Sequence, residues 1–261
     1  MPYRRRMNDQ TLLDLAVRLA GQAAARIRTL REAGFAVDTK ADTSPVTIAD
    51  MEAEAIIVQG LRAATPQIPV IAEEEVAAGR VTAPGREFWL VDPLDGTREF
   101  AAGRPEFCTN IGLVRDGVAV LGAVASPALD EIHFGLIGAG AWKTSGGKTT
   151  PISARRVPAE GLTVMASRHY ADDPELAAYL AGKKVASLTN IGSALKFLRI
   201  ADGVVDFYPR LGRTMEWDTA APQAVLEAAG GSVLTKNGER LRYGKPGFEN
   251  PYFYAWGLRE V

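Results

Sequence analysis

The segment FWLVDPLDGTREF (88–100) places two carboxylates at the end of an apolar run. Phe88–Val91 has the composition of a buried strand, and it leads directly to Asp92 and Asp95 on a turn that contains a proline. Two carboxylates on such a turn can bind a hard divalent cation, and the Leu94 carbonyl is available as a further oxygen ligand. The segment therefore predicts a metal site at the end of a strand.

The residues after these aspartates predict an anion site in the same loop. Arg98–Ala102 can start a helix, so the backbone N–H groups of Gly96 and Thr97 would face a phosphate. An acidic turn with an aspartate as N-cap is the alternative, and it would be the default for Asp-Gly-Thr alone. That alternative is less attractive because a dry strand brings two carboxylates together without a nearby Lys or Arg to neutralise both.

A second acidic cluster, Glu73–Glu75, follows the apolar run Pro69–Ala72. Clustered carboxylates repel one another unless a cation or solvent separates them. Glu73 and Glu74 lie nearer the strand and are the better candidates for the site, whereas we interpret Glu75 as a solvated charge.

Asp218 lies far along the chain, in the segment MEWDT (215–219). It can cap a helix over Thr219–Ala229 and reach inward past Trp217, but in isolation the signal is weak because N-cap aspartates are common. Three acidic points of this kind fit metal-assisted hydrolysis of a phosphate ester, in which paired Mg²⁺ ions polarise phosphoryl oxygens. The single Cys and two His residues are consistent with Mg²⁺, which favours oxygen ligands.

The elements that must position these residues fall into two groups. In the first, apolar residues recur at helical spacing over Thr11–Arg31 and Ala49–Ala64, which predicts two helices. The strand candidates that follow are separated by short turns and predict an antiparallel meander. These strands are Asn110–Val114, Val118–Val124 and Glu131–Leu136.

After Pro151 the pattern changes to alternating strands and helices, which predicts a second, α/β lobe. We predict an N-terminal lobe over residues 1–150 with the metal and phosphate loop. A C-terminal lobe over 151–261 would contribute Asp218 and substrate contacts. Its strands are predicted over Leu162–Ala166, Lys184–Leu188 and Val204–Tyr208, and its helices over Pro174–Leu180, Ser193–Ala201 and Asp218–Ala229.

Composition and charge exclude several classes of protein. With 47% hydrophobic and 23% charged residues, the 261-residue chain has the balance of a soluble globular protein rather than a disordered or fibrous one. Thirty Lys and Arg against 31 Asp and Glu give a net charge of -1, which argues against binding a nucleic-acid polymer. Any polyanionic ligand must therefore be small and locally recognised.

The cellular location is expected to be the cytoplasm. One cysteine, Cys108, cannot form an intrachain disulfide and suits a reducing compartment. No apolar segment has the length of a membrane span, and no signal-peptide core is present. The triplet Arg4–Arg6 could touch lipid headgroups on the cytoplasmic face, although a solvated terminus is the favoured interpretation.

Four motifs together resemble the inositol monophosphatase superfamily of Mg²⁺-dependent, lithium-sensitive phosphatases. They are KADTSPVTIAD (40–50), AEEE (72–75), WLVDPLDGTREF (89–100) and EWDTAA (216–221). Two further segments resemble the CysQ-type 3'(2'),5'-bisphosphate nucleotidases within it, namely GSALKF (192–197) and YPRLGRTMEWDTAA (208–221). The resemblance covers nearly the whole chain and implies the layered α/β sugar-phosphatase fold, an αβαβα sandwich.

The resemblance also implies which residues bind metal. Glu73, Asp92, Asp95 and the Leu94 carbonyl would bind a first Mg²⁺. Asp92, Asp95 and Asp218 would share a second, and Glu73 would also contact a weaker third ion.

Catalytic roles follow by the same resemblance. Thr97, with Asp50 behind it, would orient a metal-activated water for direct in-line attack, without a covalent phosphoenzyme. The amides of Gly96 and Thr97 would hold the scissile phosphate, and Glu74 would belong to the acidic network.

Substrate contacts are implied for Ser193, Lys196 and Arg210, which would bind the non-scissile phosphate or the ribose, with Asp218 also facing the substrate. A surface lysine is the alternative for Lys196, and a structural ion pair is the alternative for Arg210. His169 lies either near the nucleotide or in a surface loop.

The sequence departs from the family pattern at two positions. Ala72 stands where relatives often carry Ser or Gly, and Arg213 stands where Pro is frequent in the subgroup. Neither change removes an expected ligand.

The activity implied is removal of the 3'-phosphate of adenosine 3',5'-bisphosphate to leave AMP, in sulfate-assimilation metabolism. An inositol-1-phosphate or related sugar phosphatase is the alternative with the same metal chemistry. A non-catalytic regulator that binds Mg²⁺ or nucleotide is the alternative from another class. We expect a monomer or a homodimer.

Overall fold

A computed structural model describes residues 7–34, 37–39, 45–168 and 174–258. These residues form alternating layers of helices and sheets. The helices are α1 (Asp9–Ala33), α2 (Ile48–Ala64), α3 (Glu73–Ala77), α4 (Thr97–Ala101), α5 (Pro174–Leu180), α6 (Leu195–Ala201) and α7 (Glu216–Ala228).

Two large sheets and one short hairpin contain the strands. The hairpin is β1 (Val37–Thr39) with β2 (Pro45–Thr47). The seven-stranded sheet runs in spatial order through β3 (Val70–Ala72), β4 (Glu87–Asp95), β5 (Cys108–Arg115), β6 (Val118–Ser126), β7 (Glu131–Leu136), β8 (Gly140–Ser145) and β9 (Lys148–Ile152). The five-stranded sheet has the order β11 (Val185–Ile191), β10 (Leu162–Ser167), β12 (Phe207–Arg210), β14 (Phe253–Trp256), β13 (Ser232–Thr235).

The first layer consists of α1 and α2, which cover one face of the seven-stranded sheet. Leu13, Leu19 and Ile27 form part of the buried stripe of α1 that packs against this face. Asn8 begins the helix by accepting a hydrogen bond from the backbone N–H of Thr11. The predicted helices over 11–31 and 49–64 are therefore confirmed in type and nearly in extent.

The central layer consists of α6 and α7, which lie between the two sheets. Gly112, Gly122 and Gly135 face one another across β5, β6 and β7, in direct register. An added Cβ on Gly112 would lie 2.7 Å from the Ala221 backbone nitrogen, and one on Gly135 would lie 2.9 Å from the Ala228 Cβ. This glycine stripe lets α7 cross the sheet at close range, with its N-terminus at the edge where β4 ends.

The last layer is α5, packed on the outer face of the five-stranded sheet. Tyr179 of α5 stacks on Tyr254 and Phe207, with ring centroids 4.5 and 5.3 Å apart. The sequence of layers is α1 and α2, sheet, α6 and α7, sheet, α5, and the αβαβα fold is thereby confirmed.

Several elements differ from the sequence-based expectation. The sequence patterns do not predict β1, β2, α3, β8, β9, β13 or β14, and the predicted strand 204–208 is found as Phe207–Arg210. The boundary set at residue 150 falls inside β9, and one hydrophobic core joins residues of both predicted lobes, such as Phe88 and Phe253. The division into lobes stays a prediction.

Two predictions concern membranes. In the described part of the chain, no helix has the length and apolar character needed to cross a bilayer. Arg4–Arg6, with its alternative of lipid contact, lies outside the described residues.

Candidate active site

β3 and β4 run parallel and end at the same edge of the seven-stranded sheet. β4 extends through Asp92 to Asp95, and its pairing with β5 shifts register between these two aspartates. Asp92 is almost wholly buried, and its carboxylate accepts a hydrogen bond of 3.0 Å from the Leu94 N–H. The predicted strand with two carboxylates at its end is confirmed, but the predicted turn over Asp92–Asp95 is wrong, because β4 continues through Pro93 to Asp95 and the turn comes at Gly96.

Three carboxylates from separate elements meet at this edge. Glu73 begins α3 directly after β3, Asp92 lies on β4, and Asp218 lies in the first turn of α7. Ligand oxygens of these side chains lie within 4.8 Å of one another. Such a cluster of oxygen donors suits a hard divalent cation.

The helix that carries Asp218 begins earlier than predicted, at Glu216 rather than near Asp218. Asp218 is the third residue of the helix, and its carboxylate accepts a 2.9 Å hydrogen bond from the Met215 N–H. This contact fixes the carboxylate at the helix N-terminus, where it faces Glu73 and Asp92.

Asp95 lines the same cavity as these three carboxylates. Its carboxylate accepts a short hydrogen bond from the Ala194 N–H, which ties the loop before α6 to the end of β4. Its role as a metal ligand, like that of the Leu94 carbonyl, stays a prediction.

The electrostatics of the cluster favour a bound cation. Burial, reinforced by the charges of Asp95 and Glu73, raises the pKa of Asp218 to about 8. Burial also raises the pKa of Asp95 to about 6, although the nearby Lys196 ammonium opposes this shift. Buried carboxylates that repel one another are stabilised by a cation that neutralises them, so the residues present fit Mg²⁺.

Thr97 and Asp50 are brought together although they are far apart in the chain. The Thr97 Oγ1 lies 3.0 Å from an Asp50 carboxylate oxygen and 3.0 Å from the Leu94 carbonyl oxygen. Asp50 also accepts hydrogen bonds of 2.7 Å from the N–H and the hydroxyl of Thr47, as part of the capping box of α2. The helix cap therefore fixes the carboxylate that orients Thr97.

Gly96, which precedes Thr97, has a backbone conformation that a side chain would not tolerate. Its φ angle is +91°, and an added Cβ would lie 2.8 Å from the carbonyl oxygen of Glu106. Glycine therefore lets the chain turn sharply from β4 into α4, and brings the backbone of this loop to the cavity surface.

Glu74 and Glu75 both contact α2, in different ways. Glu74 is buried, and its backbone N–H donates a 2.7 Å hydrogen bond to the Glu54 carboxylate. Glu75 accepts two hydrogen bonds from Arg62, at 2.8 and 2.7 Å, so the expected solvated charge is instead an ion pair. A catalytic role for Glu74 stays a prediction.

Glu54 was missed by the sequence analysis. It is buried on α2, and burial, with the charges of Glu73 to Glu75 adding to it, raises its pKa to about 7. In the sequence it resembles any glutamate on an amphipathic helix, and only its contact with α3 shows its place beside the acidic cluster.

The carboxylates open into a cavity of about 430 Å³, a size suited to a small molecule. Its lining also includes the predicted substrate residues Ser193, Lys196 and Arg210. Lys196 is only 2% exposed, which contradicts the alternative of a surface lysine. Its side chain enters the interior because α6 is packed between the two sheets.

Lys196 is held by the loop that precedes it. Its Nζ donates hydrogen bonds to the carbonyl oxygens of Ser193 (2.6 Å) and Ile191 (3.3 Å), and lies 4.9 Å from the ring centroid of Tyr208. Burial and the charge of Arg210 lower its pKa to about 7, against the opposing influence of Asp95.

Arg210 is the last residue of β12, and its side chain forms hydrogen bonds with the segment between this strand and α7. It donates hydrogen bonds to the carbonyl oxygens of Gly212 (3.2 Å) and Arg213 (2.6 Å). Arg213, which stands where Pro is frequent in the subgroup, also lines the cavity. The sequence analysis gave it no role in the site. Residues 40–44 of the first motif and His169 lie outside the described residues.

The sequence is similar to a known family of proteins over nearly its whole length. A model of the inositol monophosphatase family matches residues 8–255. The 3'(2'),5'-bisphosphate nucleotidase CysQ of Salmonella typhimurium (strain LT2) is 43% identical over 215 residues, which cover 82% of this chain and 86% of that protein. The protein of the same name from Escherichia coli (strain K12) is 40% identical over 245 residues, which cover 93% of this chain and 98% of that protein.

Solved structures agree with the sequence comparison. The crystal structure of CysQ from Bacteroides thetaiotaomicron superposes with a TM-score of 0.81 at 34% identity, covering 98% of this chain and all of that one. The inositol monophosphatase of Anabaena (Nostoc) sp. PCC 7120 gives a TM-score of 0.75 at 26% identity, covering 97% of this chain and 92% of that one. The chain therefore belongs to the inositol monophosphatase family and is of the CysQ type.

Proposed function

We propose that this protein is a Mg²⁺-dependent 3'(2'),5'-bisphosphate nucleotidase that hydrolyses the 3'-phosphate of adenosine 3',5'-bisphosphate to yield AMP and phosphate. The observation that carries the proposal is the composition of one cavity. Glu73, Asp92 and Asp218 meet there, and Lys196 and Arg210 line the same space. A substrate with two phosphates suits this cavity, because one phosphate can bind a metal held by the carboxylates and the other can bind the cationic side chains. The CysQ relatives named above support this choice.

The acidic residues would hold the metal. Bound Mg²⁺ would polarise the phosphoryl oxygens, lower the pKa of a water molecule and stabilise the leaving oxygen. Glu73, Asp92 and Asp218 supply converging carboxylates, and Asp95 and the Leu94 carbonyl are further oxygen donors in the same loop.

Thr97 would orient the attacking water. When its hydroxyl donates to Asp50, the lone pairs of its oxygen remain to accept a hydrogen bond from water. That contact aims a lone pair of the water oxygen at phosphorus, and the backbone N–H groups of Gly96 and Thr97 hold the scissile phosphate in line. The reaction needs no covalent intermediate, because water attacks directly.

The second phosphate would bind among Ser193, Lys196 and Arg210. Lys196 is buried, and its hydrogen-bond partners are backbone carbonyls rather than carboxylates, so a phosphate beside it would favour its protonated, charged form. An anionic group that enters the cavity would therefore be attracted to it, as to the nearby Arg210.

Hydrolysis of inositol-1-phosphate or a related sugar phosphate is the second candidate, because the structural similarity extends to an inositol monophosphatase. The two candidates share the metal chemistry and differ in the need for a second phosphate site. Phosphate release from adenosine 3',5'-bisphosphate and inositol-1-phosphate, each with Mg²⁺ and with or without lithium, tests the proposal. We expect preference for the nucleotide and inhibition by lithium, and a preference for the inositol ester would contradict it.

A cytoplasmic location, a monomeric or homodimeric state and two or three Mg²⁺ ions complete the proposal. Gel filtration with light scattering tests the oligomeric state, and metal titration by calorimetry tests the number of ions.

A further inference from the structure

We propose that Arg213 is a specificity-determining residue that binds the phosphate of the substrate that is not cleaved, and that Glu249 restrains it in the free protein. This inference rests on the proposed function and names one contact within it.

Arg213 is placed at the cavity by its position in the chain. It lies in the short connection between β12 and α7, and α7 carries Asp218. The side chain is 61% exposed and belongs to the cavity lining. An incoming anion can therefore reach its guanidinium without a rearrangement of the core.

The backbone of Arg213 is fixed even though its side chain is exposed. Arg210 donates a 2.6 Å hydrogen bond to the Arg213 carbonyl oxygen and a 3.2 Å hydrogen bond to that of Gly212. On the other side, Met215 forms a bridge with Glu249. A fixed backbone limits the motion of the Arg213 side chain to rotamer changes around one position.

In the free protein Arg213 forms a weak ion pair with Glu249. The Arg213 Nε lies 3.2 Å from a Glu249 carboxylate oxygen, and the Arg213 and Glu249 side chains are 61% and 58% exposed. An exposed ion pair of this kind contributes little to stability, because water and salt screen it. A phosphate dianion offers more charge and accepts two parallel N–H bonds from a guanidinium, so it can replace the carboxylate.

Two other cationic side chains of the cavity, Lys196 and Arg210, are less free to move toward a phosphate than Arg213 is. Lys196 and Arg210 already donate to backbone carbonyls, which restricts where their remaining N–H groups can point. Arg213 has its described contact with an exposed side chain rather than with the backbone of the core. Of Lys196, Arg210 and Arg213, it is therefore the cation best able to follow the position of a second phosphate.

The experiment compares Arg213→Gln, Glu249→Gln and the double variant with the wild type. The substrates are adenosine 3',5'-bisphosphate and adenosine 3'-monophosphate, which lacks the second phosphate. Affinity for 5'-AMP, measured by calorimetry with Mg²⁺, supplies a readout that does not depend on turnover. Arg86→Gln is the matched control, because Arg86 forms an exposed ion pair with Asp116 (2.8 Å) and is not a lining residue.

We expect the two single variants to act in opposite directions. Arg213→Gln should raise KM for the bisphosphate about tenfold and weaken 5'-AMP binding to a similar degree, with less than about twofold change for the monophosphate. Glu249→Gln should lower KM for the bisphosphate about two- to threefold, because it frees the arginine. In the double variant the benefit of Glu249→Gln should disappear.

Other results would overturn the inference. If the pair were only a structural clamp, both single variants would impair the enzyme in the same direction and on both substrates. An unchanged KM and unchanged 5'-AMP affinity in Arg213→Gln would also refute it. If the wild type hydrolyses neither nucleotide, the proposed activity fails, whereas a 5'-AMP affinity that still depends on Arg213 would retain the phosphate contact.

Discussion

The Thr97 hydroxyl lies 3.0 Å from the carboxylate of Asp50, a residue that also caps the helix on which it lies. One carboxylate therefore connects the start of α2 with the loop between β4 and α4. The contact joins the outer helical layer to the edge of the sheet where the carboxylates meet, so Asp50 holds Thr97 as well as the start of α2.

Replacing Thr97 with Val is predicted to lower kcat about 100-fold, because the isostere removes the hydroxyl that positions water. KM and the melting temperature should change little, since the branched side chain keeps its shape. Steady-state kinetics on adenosine 3',5'-bisphosphate measure this effect. Thr97→Ser, which restores the hydroxyl, should recover most of the rate, and a Ser variant as slow as Val would argue against a hydroxyl role.

Asp92→Asn is predicted to abolish turnover and leave the fold intact. The amide oxygen of Asn can still accept the 3.0 Å hydrogen bond from the Leu94 N–H, so the turn should persist. Loss of one charge removes a metal donor and also reduces repulsion with Glu73 and Asp218.

Thermal unfolding with and without Mg²⁺ provides the check on Asp92→Asn. The wild type should gain stability from the ion and the variant should not. Without Mg²⁺ the variant should melt at or above the wild-type temperature. Retained activity, or a full Mg²⁺ response in the variant, would contradict the assignment of Asp92 to the metal site.

Lys196→Met is predicted to raise KM for adenosine 3',5'-bisphosphate about tenfold, with a change below about twofold for a simple monophosphate. Methionine has similar length and can fill the buried space beside Tyr208. Kinetics on both substrates separate a phosphate contact from general damage to the loop. Equal losses on the two substrates would show that Lys196 acts through the loop at Ser193 instead.

A buried charge network that does not line the cavity gives a prediction about pH. The Asp202 carboxylate lies 3.0 Å from His133 and 2.8 Å from Arg199. Burial alone would raise the pKa of Asp202, but the hydrogen bond to His133 and the neighbouring cations lower it to about 2.

Because the pKa of Asp202 is lowered in the folded protein, its contribution to stability is present above pH 4. It is lost as the pH falls from about 4 to about 2. We expect Asp202→Asn to reduce the free energy of unfolding by about 2 kcal/mol near neutral pH and to flatten its acid-side slope. Urea unfolding between pH 2.5 and pH 6 measures both effects.

The exposed Asp130 provides the control for this experiment. It pairs loosely with Arg28, at 3.4 Å, so Asp130→Asn should change stability by less than about 0.5 kcal/mol. An Asp202→Asn variant with the same pH slope as the wild type would refute the stabilising role of this network.

The end of β4 and the loop after it could be predicted from the sequence because their signals are local. An apolar strand, two aspartates three residues apart and a following Gly-Thr predict a cation and anion site without any knowledge of the rest of the chain. Asp218 was different: its own segment resembles an ordinary helix cap, so its sequence signal was weak, and the resemblance to a family was needed to assign it to a second metal. The structure brings it beside Asp92 because α7 crosses the sheet.

Other features depend on tertiary packing and could not be predicted. Gly112, Gly122 and Gly135 are isolated glycines in three strands, and only strand register aligns them into the stripe that α7 crosses. Lys196 and Glu54 are charged residues on helices, a type that is usually solvated, so their burial follows from neighbours in other layers. The short strands β13 and β14 lack enough residues to show a pattern of their own.

Incubation of the purified protein with adenosine 3',5'-bisphosphate and Mg²⁺, followed by separation of the products, tests the proposed hydrolysis of the 3'-phosphate. We expect 5'-AMP and phosphate in equal amounts, with no release when Mg²⁺ is chelated. Adenosine 3'-monophosphate as the product, metal-independent release or no release at all would contradict it.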